Sequence, residues 1–251
     1  MRRREFITLF GGAATAWSFV AHAQQMASPG PAFMHVVQQP YDIENWGEFR
    51  RMMMSGDFSP KIKLSEVMAR RPSIGVGAVA DARGEITICD GKLIVSYGKA
   101  GTQPDRNSES AALLAIGSTG DWQIVAVERD VAPPEIETYV AAAAKARGID
   151  MEKTFPFEVR GTLASYVMHV NAAPTNGLHG MGQPMAITVV SQGERIDGGV
   201  AGLYVSADLM GVATHGGERT HAHWVSPDGN ATAHLDAWGL KSGAMLMLPK
   251  S

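Results

Sequence analysis

Thr220-His221-Ala222-His223-Trp224-Val225-Ser226-Pro227-Asp228-Gly229-Asn230-Ala231-Thr232-Ala233-His234-Leu235-Asp236 places three of the chain's eight histidines within fourteen residues. The run reads as two strands joined by a turn, because Pro227-Asp228-Gly229-Asn230 clusters turn formers between residues that suit strands. Side chains two apart on a strand share a face, so His221 and His223 point the same way. With Asp228-Gly229 as a two-residue turn, His223 stands opposite His234 and His221 opposite Asp236. Directly opposed residues have Cβ atoms roughly 4.5–5.5 Å apart. Three imidazoles then converge on one patch with a carboxylate beside them, and three histidines with an open position is the ligand pattern of catalytic zinc. A second register is open. A type I turn followed by a glycine bulge sets Ser226 opposite Asn230 and Ala233 opposite His223, which turns His234 to the other face. The bland alternative is three half-exposed strand histidines that hold nothing.

Composition bounds what surrounds this hairpin. The 251 residues suffice for one large domain or two small ones with a real core. A net charge of −3 and the lack of a basic stripe argue against nucleic acid as a partner. The 28 glycines favour turns and β-structure over a helix bundle. The 14 methionines read as core filler, with Met52-Met53-Met54 as an apolar helix patch rather than a soft-metal site. The single cysteine, Cys89, has no intramolecular disulfide partner and reads as an inert strand residue.

From the amino terminus, Arg2-Arg3-Arg4 precedes a modestly apolar stretch, Ile7 to Val20, which ends at Ala21-His22-Ala23. These are the three parts of a cleaved signal peptide, and the stretch is too short to span a membrane. Arg3-Arg4-Glu5-Phe6-Ile7 resembles the twin-arginine export motif, which implies a folded protein carried to the periplasm or beyond and left with no stable membrane anchor. Residues 1–23 carry three Arg and one Glu, so the mature chain has 19 basic against 24 acidic residues, net −5. Gln24 to Pro40 reads as a linker or loose arm, with the folded domain from Asn45 to the end.

Ile43 to Met54 has helical spacing, and Ser65 to Arg70 suits a short helix. Ile74 to Val79 is strand-like, and its Gly75 and Gly77 suit a tight strand approach rather than a nucleotide loop. Gly84 to Tyr97 reads as a hairpin turning at Asp90-Gly91. Gln123 to Glu128 is a strand, and Glu135 to Arg147 a helix ending at Gly148. Phe155 to Val170 reads as paired strands around Gly161, followed by a glycine-rich loop containing His179. Met185 to Gln192, Gly199 to Ser206 and Ala244 to Leu248 are further strands. The class is α+β, with mixed or antiparallel sheets and a few helices.

Two stretches carry a resemblance. Gly56 to Val67 followed by Ile74-Gly75-Val76-Gly77-Ala78-Val79-Ala80-Asp81-Ala82-Arg83-Gly84-Glu85-Ile86 resembles the amino-terminal pattern of the α-acetolactate decarboxylases. His221-x-His223, with His234 eleven residues on and ending in His-Leu-Asp, resembles that family's zinc site. The likeness spans roughly Asn45 to Trp238. It implies an acetolactate decarboxylase-like fold, with His221, His223 and His234 as zinc ligands and Glu85 as a glutamate reaching the metal from the amino-terminal sheet. It also implies a small hydroxy-oxo acid substrate, decarboxylated to acetoin in acetoin biosynthesis. The metal's part is that of a Lewis acid toward the enediolate left when CO₂ departs, and a carboxylic acid delivers the proton.

Two departures stand out. Where the family has a substrate-facing arginine, Tyr166-Val167-Met168-His169-Val170-Asn171-Ala172-Ala173-Pro174 has none, so His169 or Arg160 is the available substitute. The family's carboxy-terminal glutamate also has no counterpart, since no Glu follows Glu218 and Asp236 is the last acidic residue. His215 and His179 are candidate extra ligands that read more simply as loop residues. The sequence leaves open a zinc decarboxylase and a non-catalytic or differently specific metal- or ligand-binding periplasmic protein on the same scaffold. It leaves open copper, nickel, cobalt or iron in place of zinc, and the assembly state, a homodimer included.

Overall fold

Alternating strands between glycine and aspartate turns build most of the molecule. A computed structural model describes residues 35–98, 108–172 and 187–250. The signal segment 1–23, the first part of the arm at 24–34, and the loop carrying His179 lie outside the described residues. Seven strands form the first sheet: β1 (His35–Gln38), β2 (Ile43–Trp46), β3 (Ile62–Lys63), β4 (Ile74–Val79), β5 (Gly84–Cys89), β6 (Lys92–Tyr97) and β7 (Ser110–Gly117). They pair antiparallel in the order β1-β2-β7-β4-β5-β6, with β3 also on β7.

The second sheet contains β8 (Trp122–Ala126), β9 (Phe155–Ala172), β10 (Ile187–Tyr204), β11 (Thr220–Val225), β12 (Thr232–Leu240) and β13 (Met245–Pro249), in the order β10-β11-β12-β9-β13-β8. Because β10 also pairs with β9, the strands β9, β10, β11 and β12 close a ring. Three short helices complete the described chain: α1 (Phe49–Ser55), α2 (Leu64–Met68) and α3 (Ile136–Lys145). Mostly antiparallel sheets with a few helices is the α+β class the pattern predicts.

The period of two along β5 sorts its side chains. Ile86 and Ile88 pack with Leu64 and Val67 of α2 on one side of the first sheet. Glu85 and Thr87 face the other way, toward the second sheet, as does Val76 of β4, the ladder partner of Thr87. Val76, Ile43 and Ala115 join Phe155, Phe157, Val159, Leu163 and Leu203 of the second sheet in the largest core cluster. The tight approach expected at Gly75 and Gly77 is present: a Cβ on Gly77 would lie 2.1 Å from the Leu113 carbonyl oxygen.

Three expectations change. Ile43 to Met54 is not one helix. Residues 43–46 form β2, drawn into the ladder against β7 through Glu44, Asn45 and Trp46, so tertiary pairing overrides local spacing. Phe155 to Val170 is not a strand pair folded at Gly161 but one continuous strand, and the two strands expected after it are one strand, β10. Gly161 and Gly198 are direct partners with φ of 140° and 152°, which lets the double strand bend there without ending. Strand β7 has no counterpart in the sequence reading. Its apolar run Ala111 to Ile116 is buried on both faces, so it lacks the alternation that marks a half-exposed strand.

Phe157 carries much of the contact between core layers. It is fully buried, its ring stacks on Trp238 at 6.5 Å, and it fills the space left by Gly202. Phe157→Ala is expected to cost about 3–5 kcal/mol, read as a lowered urea midpoint at unchanged slope.

Candidate metal centre and active-site cavity

The β11–β12 ladder decides between the two registers. His223 is the direct partner of His234, and Val225 of Thr232. The loop is wider than a two-residue turn, since Ser226 N–H donates to the Ala231 carbonyl and Gly229 N–H to that of Ser226, but the register is the one that gathers the histidines. On its far side His234 pairs with His169 of β9, so histidines stand in one row across three neighbouring strands. The expected pairing of His221 with Asp236 does not occur. The ladder stops at His223–His234, and a bulge between Leu235 and Ala237 makes Asp236 an extra residue in β12. A bulge re-aims the side chain it carries. Asp236 accordingly turns to His169, whose Nδ1 lies 2.9 Å from both carboxylate oxygens.

His221, His223 and His234 are buried, and each offers one ligand atom within 4.8 Å of the others. Hydrogen bonds fix where two of the rings carry their protons. His221 Nδ1 lies 2.7 Å from the Ala213 carbonyl oxygen, which only accepts, so Nδ1 is protonated and Nε2 keeps a lone pair. The Thr232 hydroxyl donates to the Trp224 carbonyl, so in the 2.5 Å contact between the Thr87 and Thr232 hydroxyls the proton comes from Thr87. Thr87 then has none left for His223 Nδ1 at 2.9 Å. Nδ1–H of His223 must donate to Thr87, which frees Nε2. His223 Nε2 lies 3.3 Å from His234 Nδ1. Two nitrogens held tetrahedrally at 2.0–2.1 Å from one ion are themselves about 3.3–3.4 Å apart. The donor set therefore fits a divalent metal: Nε2 of His221 and His223, and Nδ1 of His234.

Electrostatics agree with that role. Burial pushes His221 down to about 4, against the pull of its bond to Ala213, with His215 and His169 lowering it further. Burial and then the neighbouring imidazoles hold His223 and His234 well below the ordinary histidine value. Neutral imidazole is the form that binds metal.

Glu85 is buried, with Oε2 3.9 Å from His223 Nε2. It is not the solvated turn residue its Gly84 neighbour would suggest. Burial pushes its carboxyl up to about 8, opposed by His169 and by the Asn171 N–H that Oε1 accepts at 3.1 Å. His169 shifts upward: burial lowers it, but the Asp236 bond and the charges of Glu85 and Asp236 outweigh that.

These groups open on a cavity of about 350 Å³. Its lining mixes polar groups, Glu85, His169, Asn171, His215, His234 and Asp236, with apolar side chains that include Phe49, Met52, Phe58 and Leu113. His215 belongs here although it reads as a loop residue, with its ring 4.0 Å from that of Phe49. Arg160 does not. It is engaged with Glu158 and Asp90 and lines a different depression. Asn171 lines the cavity, and its backbone N–H holds Glu85. Cys89 lies outside the cavity, its thiol pushed up to about 12 by burial and by the carboxylates of Glu158 and Asp90.

Sequence reasoning missed Thr87 and Thr232. The signal was present: Glu85-x-Thr87 and Thr232-x-His234 each put a polar residue two places from a site residue, on the same strand face.

The family model described as alpha-acetolactate decarboxylase matches residues 49–249. The chain belongs to the alpha-acetolactate decarboxylase family. Among solved structures it is similar to alpha-acetolactate decarboxylase from Bacillus subtilis strain 168, with TM-score 0.65 and 12% identity over 82% of this chain and 84% of that one. The enzyme from Bacillus subtilis subspecies spizizenii gives 0.66 at the same identity and coverage. A Staphylococcus aureus protein of unknown function similar to alpha-acetolactate decarboxylase gives 0.62, again at 12% identity and the same coverage. At that identity these likenesses show the fold. No curated protein sequence matches the chain.

Within this family member the Thr87 relay sets the His223 tautomer, so removing it has a defined cost. Thr87→Val is expected to weaken metal binding by about 10–100-fold in a chelator competition, and Thr87→Ser to restore most of it. In the metal-free protein the imidazoles and Glu85 oppose each other. Each buried histidine is depressed below its unfolded value of about 6.5, so its contribution is present above that pH. It is lost toward about 4 for His221, with a slope of up to about 1.4 kcal/mol per pH unit for each imidazole. Glu85 is raised from 4.5 to about 8, so its contribution is present below about 4.5 and lost as pH rises through 8. Urea midpoints of the metal-free protein are expected to peak near pH 6.5, and Glu85→Gln to shrink the decline above it to the part that His169, also shifted upward, contributes.

Proposed function

We propose that this chain is a zinc-dependent decarboxylase of a 2-hydroxy-3-oxo acid, with (S)-2-acetolactate going to acetoin and CO₂ as the reference reaction. The observation that carries the reading is a buried carboxyl, raised by that burial, beside three buried imidazoles whose ligand atoms converge, with Glu85 and His234 lining one cavity. His221, His223 and His234 would hold the metal, which supplies Lewis acidity toward the hydroxyl and ketone oxygens of the substrate.

The chain's own residues account for the rest. His169, clasped by Asp236 and shifted toward its charged form, is the cavity-lining group that would meet a substrate carboxylate, as one of the two substitutes open for the family's arginine. When the bond from C2 to the carboxylate breaks, its electron pair stays on the substrate and CO₂ leaves. Glu85, held neutral by burial and oriented by Asn171 N–H, then gives its proton to the carbon, forming the C–H bond of the product. The Glu85 anion left behind sits near His169 and takes a proton back from water. The apolar side chains of the lining keep bulk water away from the carbanion-like intermediate.

The arginine cluster and the Ala21-His22-Ala23 site support export by the twin-arginine route and a periplasmic or secreted mature protein. Among the described residues no helix is long and apolar enough to cross a membrane. The absence of Lys and Arg from the described cavity wall favours one second reading, a protein that binds a metal and a ligand without turning it over.

The test is acetoin formation from racemic acetolactate by the purified protein, with metal content measured in parallel. Chelator is expected to abolish turnover and zinc to restore it. Glu85→Gln is expected to lower kcat by about 10²–10⁴-fold with metal retained. His169→Gln is expected to act on KM as well as kcat. Zinc binding without turnover would move the protein to the second reading.

A further inference from the structure

The cavity is larger than a five-carbon acid requires, and much of its lining is apolar. A cavity of about 150 Å³ holds benzene, six heavy atoms. On that scale the nine heavy atoms of acetolactate occupy on the order of 225 Å³, leaving space in the 350 Å³ present for a group of about five more. The lining combines the acid Glu85, His169 and His234 with a block of apolar side chains, Phe49, Met52, Met53, Phe58 and Leu113.

The apolar block is tied to the metal centre. Phe49 N–H donates to the Val212 carbonyl and Arg50 N–H to that of Gly211. The same loop continues to Ala213, whose carbonyl orients His221, and to His215, whose ring packs on Phe49. Phe49, Met52 and Phe58 pack as one cluster with Ala78, Ala82, Ala112 and Leu113, so the block is a supported surface. Methionine side chains at positions 52 and 53 give it the adaptability to accept a flat or branched group. The apolar part of the lining offers water no hydrogen-bond partner, so an apolar group displaces water there favourably.

We infer that the preferred substrate is a 2-hydroxy-3-oxo acid carrying an apolar group larger than methyl, a phenyl ring or an aliphatic chain of at least four carbons, seated against Phe49, Met52, Met53 and Phe58. This rests on the decarboxylase reading for its reaction, but the apolar subsite has a readout of its own. One additional methylene in such a pocket discriminates by about 10–200-fold, so a whole ring should exceed tenfold.

Two unreactive acids lacking the 3-oxo group serve as binding probes: 2-hydroxy-2-methylpropanoate and 2-hydroxy-2-methyl-3-phenylpropanoate. Each is titrated calorimetrically into the purified protein, zinc-loaded and metal-free. In parallel, turnover of acetolactate is compared with that of its analogue carrying phenyl in place of the C4 methyl group. At least tenfold tighter binding of the phenyl probe is expected in both metal states. A kcat/KM at least tenfold higher for the phenyl substrate is expected, with that ratio reversed in Met53→Trp, which fills the apolar end. Equal or weaker binding of the phenyl probe by the wild-type protein overturns the inference whatever the turnover. Tighter phenyl binding with neither acid decarboxylated overturns the reaction and leaves the apolar ligand class standing.

Discussion

One rung of a β-ladder holds the site together. His223 opposite His234 places two ring nitrogens at the spacing a tetrahedral ion imposes, and everything else in the centre is arranged around that pair. His221 follows because it is two residues along the same strand. His169 follows because β9 is the next strand over and its residue facing His234 is a histidine. A one-residue slip between β11 and β12 would send His234 to the opposite face. The closed ring of β9 to β12 guards against such a slip, since every strand in it is held on both edges for part of its length.

Around that rung, hydrogen bonds decide protonation. Carbonyl acceptors are fixed points, and the proton assignments of His221 and His223 trace back to the carbonyls of Ala213 and Trp224. The hydroxyls of Thr87 and Thr232 pass the constraint along. Burial does the rest by opposing charge on each imidazole and on Glu85. His169 escapes this because Asp236 supplies an opposite charge that outweighs the desolvation. Glu85 and His169, both in the cavity lining, are thus driven toward their protonated forms, one neutral and one charged, by the balance of burial and partnership.

Much of this was legible in the residues before any coordinates. The triad, the turn between its strands, the β4 approach at glycine and the β5–β6 hairpin all follow from local pattern. The resemblance pointed Glu85 toward the metal, but its burial is not visible in the local pattern, because it depends on the second sheet covering β5. Residues 43–46 and β7 were hard for related reasons. One has helical spacing overridden by a ladder, and the other is buried on both faces and shows no alternation. The role of Asp236 depended on a bulge, and nothing in His-Leu-Asp signals where a strand will take an extra residue. Long-range pairing decides all of these, and a single sequence without relatives carries it only faintly.

The three imidazoles come from the second sheet, while the acid and the threonine that orients His223 come from β5 in the first. Adjacent residues on a strand are only about 3.3 Å apart, so sliding one sheet over the other by that amount would part the acid from the metal ligands and leave the ligands intact. The side chains that resist such sliding are Ile43 and Val76 on one sheet and Phe157 and Leu203 on the other, none of which lines the cavity. In this molecule the alignment of a proton with its target is a property of hydrocarbon packing between layers. Wear in that packing would reach the chemistry before it reached the capacity to hold an ion.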